Sequence, residues 1–333
     1  MRRIIECVPN FSEGRDSGII DSIAEAIACS ADVKLLHVDP GEATNRTVYT
    51  FAGSPEAVTE AAFQGVRRAT ELIDMRRHHG THPRSGACDV LPLIPIAGVS
   101  LEECAGMARK LAERIFVELG VPCYCYEAAA FKAERRNLAV CRAGEYEALA
   151  EKIADPQRRP DFSPESFTEA AARGGASNVG ARNFLIAVNF NLNSKSEAKA
   201  KEIAADVREK GDAARPFRLM ACKAIGWYIE EYDRAQVSMN MTDISITPLH
   251  LAFEQVSNAA RARGLEVTGT EIIGLVPKCM LTEAGKYFMA KEGILDQTSE
   301  EALIDFAIRH MGLDELKEFK AEEKVLEYLI ETI

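Results

Sequence analysis

The sequence predicts an α+β fold of two subdomains, each a mixed or antiparallel sheet with helices packed on one face. Strand-like and helix-like hydrophobic patterns alternate along the 333 residues, a length that suggests roughly two domains. The strand segments 33–39 and 46–53 are joined too tightly for the helical crossover that parallel neighbours need. No GxGxxG motif follows the first strand, which disfavours a dinucleotide-binding fold.

The first half of the chain alternates strands with three long helices. Ser54 followed by Pro55 is typical of a helix start, and Gly120 is typical of a helix end. Pro92 and Pro95 interrupt an otherwise strand-like segment, which indicates a bulge or an edge strand. The predicted elements are strands 3–8, 33–39, 46–53, 87–96 and 121–127, and helices around 19–27, 55–72 and 100–119.

Residues 155–182 are rich in proline, charge and glycine, which is typical of a linker or a functional loop. The second half then resumes the alternation of strands and helices. The predicted elements there are strands 184–192, 221–231, 235–242 and 265–276, and helices 195–210, 248–263, 279–291, 299–310 and 322–331.

The two halves resemble each other weakly, which places the predicted domains at residues 1–180 and 181–333. In each half a strand is followed by Asn-Phe, a polar loop and a helix. The pair is Asn10-Phe11 in the first half and Asn189-Phe190 in the second.

The composition limits the kinds of partner. The formal net charge is -11, which disfavours general binding to nucleic acid or to anionic membranes, so an anionic ligand requires a local cluster of positive charge. Neither a signal-peptide pattern nor an apolar run long enough to span a membrane is present. The nine cysteines are scattered, without paired CxxC motifs, which favours reduced thiols and a cytoplasmic location.

Half of the six histidines lie in one stretch, RRHHGTHPRSGACDVLP at 76–92. His78 and His82 have an H-x3-H spacing, but the intervening Gly80 and the following proline argue against a helix, so no metal is expected. His82 lies in a loop that is both constrained and exposed, which suits a general acid/base. An ordinary solvated loop is the alternative, and it is the favoured interpretation for His78 and His79.

Three other features have both a functional and an ordinary interpretation. Asp39 precedes Pro-Gly after a strand, which suits either a ligand site or a turn. The glycine-rich stretch 174–182 could approach an anion through backbone N–H groups, or connect two domains. Arg182 could bind a carboxylate. Trp227 could stack on a ring, although a single tryptophan in an apolar strand is more often part of the core.

Long motifs spread over nearly the whole chain resemble the glutamate formimidoyltransferase (formiminotransferase) family. They occur in the same order as in that family. They are ECVPNFSEG (6–14), DPGEATNRTVYTFAG (39–53), HHGTHPRSGACDVLPLIP (78–95), RAGEYEAL (142–149), PDFSP (160–164), GARNFLIAVNFNLN (180–193) and IGWYIEE (225–231). The resemblance covers the transferase and not the cyclodeaminase domain of the vertebrate enzymes, which implies a stand-alone transferase.

The resemblance implies a set of site residues. The motif histidine, His82, is expected to be catalytic, supported by Asp39 and by Arg46. Asp39 could fix the tautomer of His82 or stabilise its imidazolium. Arg84 and Arg182, with Arg46, would form the basic lining for the glutamate carboxylates of both substrates. Folate is expected to run past the loop 162–182. The remaining residues expected to bind substrate or folate are Asn10, Gly174, Gly175 and Gly180.

The implied reaction moves the formimino group from N-formimino-L-glutamate to N5 of tetrahydrofolate, with tetrahydrofolate as co-substrate. A histidine would take a proton from N5 and give one to the departing glutamate nitrogen. One alternative is a relative specialised on 5-formyltetrahydrofolate, by formyl transfer or by cyclisation to methenyl-folate. Another is a folate-binding protein without turnover. The resemblance also implies a cytoplasmic homodimer.

Overall fold

The chain folds into two compact units, the first ending at Asn183 and the second beginning at Phe184. A computed structural model describes residues 3–294 and 299–330. Both units combine a β-sheet with helices, so the predicted α+β class of two subdomains is confirmed. Within the described residues, no helix is long and apolar enough to cross a membrane.

The first unit is built on a seven-stranded mixed sheet. Strands β1 and β2 are successive segments that both lie between β4 and β5, with β3 beyond β4, and β7 between β5 and β6. The pairs β5–β7 and β7–β6 are parallel, and the other pairs are antiparallel. The strands are β1 (Ile4–Cys7), β2 (Asn10–Phe11), β3 (Val33–Gly41), β4 (Arg46–Gly53), β5 (Cys88–Ala97), β6 (Cys123–Glu127) and β7 (Ser177–Ala181).

Three long helices of the first unit start and end where the sequence predicts. The helices are α1 (Ser17–Ala28), α2 (Pro55–Leu72) and α3 (Leu101–Leu119). The side chain of Asp16 caps α1, and Ser100 forms a capping box with Glu103 at the start of α3. Gly120 ends α3 with a left-handed φ of 71°. Apolar residues of these helices and of one sheet face form the main core of this unit.

Of the two alternatives predicted for strand β5, a bulge or an edge position, the structure has the bulge. The strand lies inside the sheet, where β1 and β2 pair with one side of it and β7 with the other. The predicted bulge is confirmed, because the register shifts between Asn10 and Phe11 and again between Ile4 and Ile5. A proline is tolerated here because it removes a single donor, and the carbonyl of Pro92 still accepts a hydrogen bond from the N–H of Val8.

The stretch 155–182 is not a linker. It contains α6 (Glu169–Gly174) and then β7, all of whose residues are buried and which pairs with strands on both sides. The segment between β6 and α6 contains the 3-10 helix Ala133–Arg136, α4 (Leu138–Arg142) and α5 (Leu149–Ala154). A small second core forms where parts of this segment pack on residues such as Tyr124 and Tyr126.

The second unit is a four-stranded antiparallel sheet in the order β11-β8-β10-β9. Its strands and helices follow the predicted alternation. Residue 331 of the predicted last helix lies outside the described residues, and a break at Val325 divides the rest of it into two short helices. The elements are β8 (Ile186–Leu192), α7 (Glu197–Val207), β9 (Cys222–Ile229), β10 (Arg234–Met241), α8 (Leu249–Arg261), β11 (Val267–Ile273), α9 (Lys278–Lys291), α10 (Glu300–Met311), α11 (Ala321–Lys324) and α12 (Leu326–Ile330).

Candidate active site

Polar side chains of the first unit gather on the sheet face opposite its three long helices. The strand registers place one residue from each of six strands, all but β1, in a single row across this face. Directly paired residues on neighbouring strands point to the same side of a sheet. The row consists of Asp39, Val48, Asn10, Val90, Asn178 and Tyr124. This face therefore carries the polar side chains of Asp39, Asn10, Asn178 and Tyr124.

His82 lies in the loop between α2 and β5, which is fastened to the β3–β4 turn. The side chain of Asn45 donates to the carbonyl of His79 at 3.0 Å, and the N–H of Thr81 donates to the carbonyl of Ala43 at 3.2 Å. The ring of His78 lies 2.7 Å from the carbonyl of Asn45. These contacts hold the loop in one conformation, as expected for a positioned acid/base.

The tautomer of His82 follows from one contact. Its Nδ1 lies 2.7 Å from the carbonyl oxygen of Pro83. Because a carbonyl can only accept, Nδ1 carries the hydrogen and Nε2 carries the lone pair of the neutral ring. The main-chain carbonyl of Pro83 thus favours this tautomer.

The charge state of His82 is set by its surroundings. Burial, followed by the positive charges of Arg46 and Arg142, lowers its pKa from 6.5 to about 3, against a smaller opposing effect of Asp89. The ring is therefore neutral at pH 7 and has a lone pair that can accept a proton.

Asp89 is the anionic centre beside His82. It occupies the β-bulge of β5 opposite Asn10 and Phe11, and a bulge redirects a side chain from its regular alternation. Its carboxylate accepts hydrogen bonds from the N–H of Ser85 (2.8 Å), from Arg142 (2.7 Å) and from Arg46. Burial alone would raise the pKa of Asp89, but Arg142 and Arg46 outweigh it and bring the pKa to about 2.

Two guanidinium groups and one carboxylate leave a net positive charge in this cluster. Arg46 is buried and also donates from Nε to Oδ1 of Asn10 at 3.0 Å. Asn178 donates to the main-chain carbonyl of Asp89 at 2.8 Å, which holds the bulge in place. A neutral imidazole beside excess positive charge can accept a proton while an anionic group of a ligand binds nearby.

Asp39 lies in the same row as Asn10, at the far side of the sheet on β3. It is partly exposed and shares its sheet face with Arg46, which is two residues before the paired Val48. The structure therefore places Asp39, Arg46 and Asn10 on one surface. Its assigned supporting role stays a prediction.

Arg84 has several intramolecular partners. Its guanidinium pairs with Glu147 at 2.7 Å and Glu145 at 3.1 Å, and its Nε donates to Nδ1 of His78 at 3.4 Å. These contacts anchor the histidine loop to the segment before α5. The expected contact between Arg84 and a substrate carboxylate stays a prediction, and it would have to compete with both glutamates.

The predicted glycines divide by location. Gly174 and Gly175 lie at the end of α6, where Gly175 has a φ of 67° and a Cβ there would come 2.3 Å from the carbonyl oxygen of Ser85. The N–H of Gly175 already donates to Ala171 within the chain. Gly180 lies in β7 on the polar face, where a Cβ would come 2.5 Å from the ring of Tyr126. Gly180 thus makes room for an aromatic side chain at the site.

Arg182 follows β7 and lies near two titratable side chains of the polar face. Burial raises the pKa of Tyr126 to about 12, and Arg182 opposes that rise. Burial also raises the pKa of Glu6 from 4.5 to about 7, again with Arg182 opposing. Arg182 is therefore brought close to Glu6 and Tyr126, next to the position of Gly180.

Three charged residues of this face were not predicted from the sequence: Asp89, Arg142 and Glu6. Asp89 is in the same motif as His82, so the motif was a signal for it. Arg142 lies in α4 and Glu6 in β1, both remote in sequence from the histidine loop. Only the strand order and the fold of the segment after β6 bring them to this face.

Comparison with known proteins agrees with these motifs. The sequence model of the formiminotransferase domain, N-terminal subdomain, matches residues 4–182, and the model of the formiminotransferase domain matches residues 187–331. The chain belongs to the formiminotransferase family. This family is one of transferases, and the two matched segments correspond to the two folded units.

Several relatives in the formiminotransferase family cover nearly the whole chain. A protein of Streptococcus pyogenes serotype M1 named glutamate formimidoyltransferase is 39% identical over 88% of this chain and 95% of its own length. A protein of Thermoplasma acidophilum with the same name is 39% identical over 90% of this chain and 98% of its own length. The formimidoyltransferase-cyclodeaminase of Sus scrofa is 46% identical over 99% of this chain. The chain spans only 60% of the length of that relative.

Proposed function

We propose that this chain transfers the formimino group from N-formimino-L-glutamate to N5 of tetrahydrofolate, giving 5-formiminotetrahydrofolate and L-glutamate. The observation that carries the proposal is a neutral His82 with its Nε2 lone pair, set beside Asp89 and two arginines. Relatives that match almost end to end are named glutamate formimidoyltransferase, which supports the same donor. Tetrahydrofolate is the acceptor that the family name implies.

His82 would act first as a base and then as an acid. N5 of the folate attacks the amidine carbon, and Nε2 takes the N5 proton as the tetrahedral intermediate forms. The same proton then goes to the glutamate nitrogen, whose bond to the carbon breaks. Asp89 would stabilise the imidazolium between these steps, because it raises the pKa of His82.

The arginine pair would couple substrate binding to this chemistry. In the free protein Arg46 and Arg142 lower the pKa of His82. A bound glutamate carboxylate would offset their charge and raise that pKa, so His82 becomes a better base when substrate is present. Asp39, on the same surface, is proposed to support the reaction through the polar groups of the substrates.

The decisive experiment measures glutamate release from formiminoglutamate with and without tetrahydrofolate. We expect release only when folate is present, and a fall of kcat by about 10²- to 10⁴-fold in His82→Asn. The matched control is His79→Asn, which changes an exposed histidine of the same loop and should leave kcat unchanged.

Each other outcome has a definite meaning. Release of glutamate that does not depend on folate would contradict the assigned acceptor. Full activity in His82→Asn would remove His82 from the mechanism. Folate binding without any turnover would favour a non-catalytic binding protein, and turnover of 5-formyltetrahydrofolate alone would favour the formyl-specific relative.

We further propose that the protein is a homodimer, as the family resemblance implies. Sedimentation velocity at several protein concentrations would measure its mass in solution. A single species at the monomer mass of 36.5 kDa would contradict this proposal.

A further inference from the structure

Two carboxylates are buried in the described part of the chain, and their environments differ. Asp89 accepts hydrogen bonds from three donors. Glu6 is 1% exposed, and neither of its carboxylate oxygens has a hydrogen-bond partner among the described residues. An unsatisfied buried carboxylate destabilises the fold by an amount that a ligand with matching donors would recover.

Glu6 lies on the face that carries the candidate active site. It pairs with Ala52 of β4 and Ile94 of β5, and Asn10 pairs with Val48 and Val90 on the same two strands. The even spacing of the partners puts Glu6 and Asn10 on one side of the sheet. Glu6 therefore lies on the same surface as His82, Asp89, Arg46 and Arg142, which we call the His82 cluster.

The separation along the strands fits the two ends of a ring ligand. Ile94 and Val90 are four residues apart, or roughly 13 Å of strand. Asp89 is next to Val90, so Glu6 is too far away to share a reacting atom with the His82 cluster. A backbone separation of this order suits two groups that contact different parts of one ligand.

We propose that Glu6 binds the edge of the tetrahydrofolate pteridine that carries the 2-amino group and N3–H, and so directs N5 toward the His82 cluster. This inference rests on the proposed function. The pteridine edge presents two parallel N–H donors, and a carboxylate presents two parallel acceptors, so both oxygens of Glu6 would be satisfied at once. Glu6 is then a specificity-determining residue for the folate and takes no part in proton transfer.

The surroundings of Glu6 are consistent with a carboxylate that binds a ligand. Arg182 is the charged residue that opposes the effect of burial on Glu6, and that burial raises the Glu6 pKa to about 7. Two N–H donors from a ligand favour the ionised form. Folate binding at pH 7 should therefore release part of a proton from Glu6, and affinity should fall as the pH drops below 7.

The test is isothermal titration of tetrahydrofolate into the native protein, Glu6→Gln and the control Glu102→Gln, which alters an exposed glutamate of α3. We expect Kd to rise about 10- to 100-fold in Glu6→Gln, the range for lost hydrogen bonds to a charged group, and to stay constant in the control. Repeating the titration in buffers of different ionisation enthalpy measures proton release, which should disappear in Glu6→Gln.

An analogue of tetrahydrofolate tests whether Glu6 binds the 2-amino group of the pteridine. The 2-desamino-2-methyl analogue of tetrahydrofolate lacks the exocyclic donor, so Glu6→Gln should weaken its binding far less than it weakens tetrahydrofolate. Equal losses for the two ligands would overturn the proposal, and so would a loss confined to formiminoglutamate. If Glu6→Gln does not fold, proton release by the native protein must still occur with tetrahydrofolate and be reduced with the analogue.

The outcomes separate this inference from the proposed function. A native protein that turns over both substrates, with unchanged folate affinity in Glu6→Gln, overturns only the role of Glu6. A native protein that does not bind tetrahydrofolate overturns both. Folate binding that depends on Glu6, in a chain without turnover, would support this inference and contradict the proposed reaction.

Discussion

His82 combines a fixed tautomer with a depressed pKa, and the two have different physical origins. The carbonyl of Pro83 sets the tautomer through one short contact. Burial and the charges of Arg46 and Arg142 set the pKa. An imidazole with so low a pKa is a weak base, and an anion bound beside the two arginines would make it a stronger one.

Because the charges of Arg46 and Arg142 lower the pKa of His82, removing one of them should raise it. Arg142→Gln removes one positive charge, so the pKa of His82 should rise, and the acid limb of kcat/KM should move to higher pH. NMR titration of the ring nitrogens would measure both the pKa and the Nδ1–H tautomer.

Arg77→Gln is the control for this titration, because it removes an exposed charge from the same loop. It should leave the His82 pKa where it is in the native protein. A native His82 pKa at or above 6.5 would contradict the assigned surroundings.

Strand β7 shows why a single element can decide the shape of a site. It has glycine at the point where the ring of Tyr126 crosses it, and a Cβ there would meet two ring carbons at 2.5 and 2.6 Å. The glycine is therefore required by a close approach on the polar face, and not by a flexible backbone.

Gly180→Ala should lower the free energy of unfolding by about 1–3 kcal/mol, since the extra methyl group overpacks a buried contact. The control is Gly106→Ala in α3, where a Cβ meets nothing within 4 Å. That change should be neutral or stabilise the protein by up to about 1 kcal/mol, because alanine is the better helix former. Urea unfolding curves measure both changes, and equal effects would contradict the packing argument.

Elements with a regular hydrophobic period were predictable, and those shaped by context were not. Helices α1 to α3 have apolar stripes, α1 and α3 have capping side chains, and α2 begins at a proline, so their ends follow from the sequence. Strand β7 reads SNVGA, without a hydrophobic alternation, so the sequence predicts a linker or a functional loop there. The prolines of β5 predict a bulge or an edge strand, and a bulge with a retained acceptor allows β5 to lie inside the sheet.

The residues of the candidate site also divide into those that local sequence predicts and those that depend on the fold. His82, Arg46 and Asp39 are in recognisable motifs, so the sequence singled them out. Arg142 and Glu6 could not be found from local pattern, because their proximity to the site depends on pairing between strands and on a short helix far along the chain.

The whole molecule has a separate hydrophobic core in each unit. Separate cores predict that unfolding is not a single two-state transition. We expect the calorimetric enthalpy to exceed the van't Hoff enthalpy. Leu111→Ala in the first unit and Leu281→Ala in the second should each cost about 2–5 kcal/mol in its own unit.

Differential scanning calorimetry would measure these transitions for the native protein and both variants. Each variant should shift a different part of the heat-absorption profile. One symmetrical transition with equal enthalpies, displaced as a whole by either variant, would show that the two units unfold together.

The position of β7 between β5 and β6 has a consequence for folding during translation. During synthesis, β6 emerges from the ribosome well before β7. Among the described strands it pairs with β7 alone, apart from an isolated bridge between Cys123 and Phe162. The sheet of the nascent first unit therefore cannot be completed before β7 is translated, and its apolar strands remain exposed until then. Residues 177–181 also bring Gly180 and, directly after them, Arg182, so translation completes the sheet and adds these two predicted binding residues at the same stage.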